Sequence, residues 1–367
     1  MRKSKLVVAV ACGLLMGSLA FPGSSDGAQP VWRAQGSRTA WKLKGITFFD
    51  NCRGIAVGEE PELDGDNPTT YVRTTNGGRT WFVRPTGYDE LTLNVTQFVA
   101  KWRVFAAGEN LPDGAGGPGT ILRSDDGGLT WTNLSANAPA IADFDYHDYE
   151  GISFISRQQG WLAESLYGGV GGAGGAIIHT SNGGATWDSQ VLPDPTQPIA
   201  DVSFVSALNG WAVTDGGAVL HTTNGGAAGA GGWAVQFNTG TAGQLERVKF
   251  LNALKGVVVD DAGHYWWTND GGITWTDVDA SGISGIDWSF NGIAYSDPTH
   301  LWIVGENETS EEAEPPILFS SDGGATFVQQ NGAPGGVLNA VTAVGDRAWA
   351  AGQHGSIIAN KSFPCNN

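Results

Sequence analysis

Six times the chain writes one short phrase: TTNGGRTW from Thr74 to Trp81, SDDGGLTW from Ser124 to Trp131, TSNGGATW from Thr180 to Trp187, TTNGG from Thr222 to Gly226, TNDGGITW from Thr268 to Trp275 and SSDGGATF from Ser320 to Phe327. In the fourth copy Trp233 follows after an insertion. The copies recur roughly every 40–56 residues, the period of propeller blades. Around each phrase stand the same short segments. Residues 150–190 read EGISFIS, QGWLAES, AIIHTSNGG and ATWDSQ, and residues 199–237 repeat them as IADVSFVS, NGWAVTD, AVLHTTNGG and WAVQF. These are runs of alternating apolar residues between Gly, Asp and Asn turns, so each unit reads as four antiparallel strands, A to D. The repeated phrase is the C–D turn.

Chemistry accounts for the phrase. Asn76, Asp126, Asn182, Asn224, Asp270 and Asp322 carry side-chain oxygens able to accept nearby backbone N–H groups. The Gly-Gly pair permits positive φ. Trp81, Trp131, Trp187, Trp233, Trp275 and Phe327 are large plates suited to wedging between blades. All three roles are structural.

Six turns imply seven blades. After the sixth, Val337 to Lys361 supplies strands A, B and C without a D, while PVWRAQG near the start places Trp32 where a motif Trp belongs. An open sheet edge must be closed or covered. The expected fold is an all-β, seven-bladed propeller of four-stranded antiparallel blades, closed by an N-terminal strand that completes the last blade. Cys52 in the first A–B connection and Cys365 past the last C strand fall on the same rim of adjacent blades. They are expected to form a disulfide if the chain enters an oxidising compartment.

That compartment is suggested by residues 1–20. Arg2, Lys3 and Lys5 precede an apolar run from Leu6 to Met16 and a small-residue site at Ser18-Leu19-Ala20, the pattern of a cleaved export signal. The run falls short of the ~20 residues that span a bilayer, and no later segment reads as a membrane span. Residues 21–367 then form one propeller domain. Cleavage removes three basic and no acidic residues, taking the net charge from −17 to −20. Such a charge argues against nucleic acid as a partner.

The turn phrase matches the signature of Asp-box (BNR) repeats, found in sialidases, some glycan-degrading enzymes and sortilin-type receptors. Its companion B strands add Gly54-Ile55-Ala56-Val57-Gly58, Gly160-Trp161-Leu162-Ala163, Gly210-Trp211-Ala212-Val213, Leu301-Trp302-Ile303-Val304-Gly305 and Ala348-Trp349-Ala350-Ala351-Gly352. Together these resemble the photosystem II stability/assembly factor-like family of seven-bladed propellers across residues 21–367. The resemblance implies the fold and a non-catalytic protein-binding or assembly role. Founding members bind a reaction-centre protein and pigment through a basic surface. This chain departs from them in its acidity, and its arginines form no cluster in sequence.

Insertions single out the rim opposite the Asp-box turns. B–C connections are long in blades one, two, three and six, and the D–A connection from Ser135 to Glu150 is long too. Loops on a rigid scaffold carry function. The candidate binding residues are therefore Asp64, Asp66, Glu109, Asp143, Asp145, Tyr146, His147, Asp148, Tyr167 and Glu306. Asp64 and Asp66 offer oxygen ligands at i and i+2, a weak calcium candidate without the later ligands of an EF-hand. Otherwise no metal and no cofactor is expected. No nucleophile motif, metal-ligand histidine spacing or sialidase Phe-Arg-Ile-Pro segment is present. The expected partner is another exported or envelope protein. A glycan is the alternative, bound or degraded.

Overall fold

The computed structural model describes residues 31–59, 68–89, 91–110, 119–141, 144–168, 172–227, 231–241, 243–280, 287–310, 313–333, 336–361 and 365. Among the candidate residues, Asp64, Asp66 and Asp143 lie outside these. The chain forms seven four-stranded antiparallel sheets, with two short 3-10 turns as the helical elements among the described residues. The A strands, which surround the axis, are Lys42–Phe48, Leu91–Phe98, Tyr146–Phe154, Ile199–Phe204, Leu245–Phe250, Trp288–Tyr295 and Leu338–Val344. In the seventh blade Arg33–Gln35 pairs antiparallel with Ile357–Ala359 and supplies the D strand. Trp32 anchors this closure. It is buried between blades six and seven, and its Nε1 donates to Gln330 Oε1 at 2.9 Å. Cys52 and Cys365 are joined by a disulfide, with Cα atoms 5.6 Å apart.

Two sequence features that read as separate, the Gly opening strand B and the motif Trp, meet on one ring. In blades one, three, four and five strand A ends in Phe48, Phe154, Phe204 or Phe250. Each stacks flat on an aromatic of the preceding blade's B strand: Phe48 on Trp349 at 3.8 Å, Phe154 on Phe105 at 4.1 Å, Phe204 on Trp161 and Phe250 on Trp211 both at 3.5 Å. Each also meets its own blade's motif Trp edge-on, at 5.6–6.1 Å. The same four blades open strand B with Gly54, Gly160, Gly210 and Gly256. A Cβ at any of these would lie 2.3–2.5 Å from the Phe ring. Gly is there to admit the ring. Aromatic contacts of this kind add about 0.5–1.5 kcal/mol each beyond burial.

The Asp-box turn is fastened on three sides. Inside it, the hydroxyl of Thr74, Ser124, Thr180, Thr222, Thr268 or Ser320 accepts the second glycine's N–H at 2.8–3.0 Å. In five copies the Asn or Asp also accepts the following Thr N–H at 2.9–3.0 Å. The exception is Asn224, whose copy is broken by the insertion. The first glycine's N–H donates to the A–B loop of its own blade in all six. Its carbonyl commonly accepts from the preceding blade, as Gly127 does from Arg73 Nε, Gly183 from Arg123 Nη1 and Gly271 from Gln236 Nε2. These turns are joints of the scaffold.

Two expectations about irregular segments change. The Ser165–Gly175 stretch is not simply a loop, because strands Gly160–Gly168 and Gly172–Thr180 pair as a long hairpin on either side of its tip. Tyr146 to Glu150 likewise belong to strand A of blade three rather than to a connection.

Candidate functional site: the axial funnel

Every A strand is interrupted once, at the same register, by a shift in pairing with strand B. The residue left unpaired is Lys44, Asn94, Glu150, Ala200, Glu246, Asn291 or Asn339, blade by blade. A bulge re-aims the extra side chain. Here six polar residues turn toward the axis, where they line a cavity of about 170 Å³ with Lys42, Asp148 and Arg247. Beneath this ring the channel continues between the apolar side chains of Ile46, Val95, Ile152, Ile293 and Val341 and the polar ones of Thr96, Asp201 and Arg247.

The asparagines have a structural part. Asn339 Nδ2 donates to Leu43 O at 2.8 Å, Asn291 Nδ2 to Leu338 O at 3.3 Å and Asn94 Nδ2 to Tyr149 O at 3.5 Å. Each acceptor is the carbonyl just before the next blade's bulge, so the ring is stitched circumferentially. Asn94 Nδ2 also donates to the Asp148 carboxylate.

The charged members are held in an unfavourable setting. Burial pushes Asp148 up to about 6, with Glu109 adding to the rise and Lys44 and Asn94 opposing it. Burial pushes Glu150 up to about 8, helped by Asp148 and opposed by Arg247. Glu246 is raised by burial against the Arg247 charge. The positive groups are already engaged, since Lys44 Nζ lies 3.4 Å from Glu59, while Arg247 Nη1 donates to Glu246 O and lies 3.6 Å from the Glu246 carboxylate. Taking a carboxylate out of water without a full counter-charge is costly.

Residues preceding the bulge in strand A lie nearer the B–C/D–A rim, so the mouth at Lys42 and Asp148 opens opposite the Asp-box turns. The candidate residues group there unevenly. Glu109 acts on Asp148, and Glu306 acts on Glu246 and Glu308. Tyr167 is pushed up to about 12 by burial and by Glu150. Tyr146 of strand A pairs with Tyr167 of strand B, each partly exposed, and Asp145 N donates to Tyr167 O. His147 turns aside, its Nδ1 2.8 Å from the buried Glu164. Sequence reasoning missed Lys42, Lys44, Asn94, Glu164, Glu246, Arg247, Asn291 and Asn339. The signal was available as a column: LKG, LNV, YEG, IAD, LER, FNG and LNA.

Dispersed in sequence, several arginines converge on the Asp-box rim of blades one to three, because equivalent positions of adjacent blades are neighbours. Arg53 sits over Phe49 at 5.6 Å and Trp102 at 5.0 Å, with Lys101 Nζ 5.2 Å from the same Trp102. Arg103 and Arg123 share Asp125, at 2.5 and 3.0 Å. Their guanidinium bonds to neighbouring turns make them interblade fasteners as well.

No family model and no curated sequence matches the chain. Among solved structures, YCF48 bound to a D1 peptide is similar at 19% identity, with 92% of this chain and 100% of that one covered and a TM-score of 0.62. Virginiamycin B lyase from Staphylococcus aureus is similar at 10% identity over 89% and 97%, with a TM-score of 0.60. The GH74 xyloglucanase from Xanthomonas campestris gives 13% identity over 89% of this chain and 53% of that one, again at 0.60. At such identities the likeness concerns the fold, a scaffold used by a peptide-bound protein and by enzymes alike, so chemistry must be argued from the site.

Proposed function

We propose that this chain is an exported, non-catalytic propeller that binds a segment of another protein on the rim opposite its Asp-box turns. The observation that carries the reading is the axial funnel, whose polar mouth opens among the long insertions with exposed Tyr146 and Tyr167 beside it. A concave site with converging polar groups on a rigid scaffold is the usual form of a binding site. The peptide-bound YCF48 neighbour supports the same use of the fold. Export rests on the signal-like residues 1–20.

The test is site-directed photo-cross-linking in the native cell envelope, with the cross-linker at Tyr146 or Tyr167 and, for comparison, at exposed Ile273 on the Asp-box rim. Cross-links to a discrete polypeptide from the first two positions are expected. Cross-links from Ile273 alone would overturn the choice of rim.

A second reading has one observation in its favour. Asp148 at the mouth and Glu150 at the ring, two residues apart, hold their protons to about 6 and about 8, and separated carboxyl pKa values are what acid–base hydrolysis of glycans uses. Release of reducing sugar from envelope polysaccharide, lost in Glu150→Gln, would replace the binding role with this one.

A further inference from the structure

We propose that the funnel receives a single alkylammonium or guanidinium group, the side-chain head of a lysine or arginine on the partner, seated at the bulge ring between Glu150 and Glu246. This rests on the binding role proposed above and assigns the chemistry of what is bound.

Three observations converge. First, the cavity is small and stepped. Asp148 and Lys42 mark the mouth and Glu150 and Lys44 the ring, two residues further along their strands, which is about 7 Å at strand rise. A lysine stem spans that depth, leaving its backbone at the mouth and its head at the ring. Secondly, although Lys42, Lys44 and Arg247 also line the wall, two of its groups have acceptor capacity to spare. Asn94 commits its amide N–H groups to Asp148 and Tyr149 O, and its Oδ1 is buried with no hydrogen-bond partner. Glu150 is in no ion pair among the described residues, its one recorded side-chain partner being Ser165 Oγ at 3.5 Å. Thirdly, the charges that act on Glu150 are three carboxylates against one guanidinium. Asp148, Glu246 and Asp215 face it against Arg247, while the nearby Lys44 is drawn toward Glu59. Among the described residues no three carboxylates or imidazoles converge closely enough to hold a metal ion. The donor that suits this wall carries several N–H groups on one positive head.

Proton linkage follows. A carboxyl that holds its proton to about 8 must release it to pair with a cation, so binding at pH 7 expels on the order of one proton and tightens as the pH rises from 6 to 9.

The experiment is isothermal titration of the intact mature protein with blocked heptapeptides of glycine and serine that differ at one central residue, lysine or norleucine. Spermidine is the polyamine arm. At pH 8.5 the lysine peptide is expected to bind at least about tenfold more tightly than the norleucine peptide. The preference should shrink toward pH 6, and the heat should vary with buffer ionisation enthalpy. Glu150→Gln and Glu246→Gln should each abolish the preference. Lys44→Gln, which removes a like charge from the ring, should increase it, a gain that damaged folding would not produce. Equal affinity for the two peptides, or a preference unchanged in both carboxylate variants, overturns the assignment. Spermidine binding far more tightly than the lysine peptide, with the same dependence on Glu150, overturns the partner side chain as its source. Cross-links from Tyr146 or Tyr167 without any lysine preference sink this inference and leave the binding role standing.

Discussion

Replacing Gly210 by alanine tests the reason for a glycine at the start of strand B. The new Cβ would stand 2.4 Å from Phe204 Cε1, well inside van der Waals contact. The ring cannot retreat easily, because it lies 3.5 Å from the Trp161 plane on one side and meets Trp233 edge-on at 5.6 Å. Gly210 has no positive φ, so the cost is one of space alone. Overpacking of this kind costs about 1–3 kcal/mol, and with an unfolding entropy of about 0.7 kcal/mol/K for a domain this long it lowers Tm by about 1–4 °C. Phe204→Val removes the obstacle but opens a cavity, costing about 2–4 kcal/mol alone. The double variant should then be more stable than the sum predicts, by about 1–2 kcal/mol, since the added methyl enters vacated space. The assay is a double-mutant cycle by thermal unfolding followed at 222 nm, with Gly36→Ala as control, because nothing lies within 4 Å of a Cβ there. Strictly additive losses, or a Gly210→Ala protein that melts with the control, would refute the claim that this glycine exists to seat the ring.

Three other outcomes are expected. Cys52 and Cys365 are 313 residues apart, so Cys52→Ser with Cys365→Ser should lower stability by about 6 kcal/mol on the chain-entropy model and Tm by about 8 °C, with early loss of amide protection in Arg33–Gln35. In the Asp-box, burial works to raise Asp126, but bonds from the Thr130 hydroxyl and N–H, Ser124 and Leu129 outweigh it and bring it to about 2. The stability this contributes is present above about pH 4 and lost as pH falls toward 2. Asp126→Asn, the residue found at 76 and 182, should be near-neutral at pH 7 and flatten that acid limb, whereas Asp126→Ala should cost about 1–2 kcal/mol. Glu150 has the opposite sign: its pKa is raised, so the native state is favoured while the proton is held and loses ground as pH climbs from about 4.5 through 8. Glu150→Gln should therefore raise Tm at pH 8.5 and leave it unchanged near pH 4.5, read by pH-dependent thermal melts.

What could be read before the structure follows from where the repeat is strict. A turn that must bond on three sides tolerates few residues, so its six copies announce blade number and closure directly. The Phe sandwich was half legible: Gly-Trp stood out in strand B, yet its dependence on a Phe one strand earlier emerges only when Gly210 and Phe204 are seen across the pairing. The funnel was nearly silent. Its seven bulge residues include lysine, asparagine, alanine and glutamate, and what they share is a register rather than a chemistry. The arginines of blades one to three were not legible as a group for a related reason, because neighbours around a ring are some fifty residues apart in the chain. Variation at a fixed register is itself informative. Where the scaffold needs one residue the copies agree, as at the Asp-box glycines. Where the strand bulges toward the axis the scaffold needs only an extra residue, and side-chain identity is free to serve whatever enters the funnel. Three of the seven positions were spent on asparagine stitches, and the charged three, Lys44, Glu150 and Glu246, have no equivalent bond to the next blade. Their charges sit in a cavity that raises the cost of keeping them, which points to selection for a ligand rather than for stability.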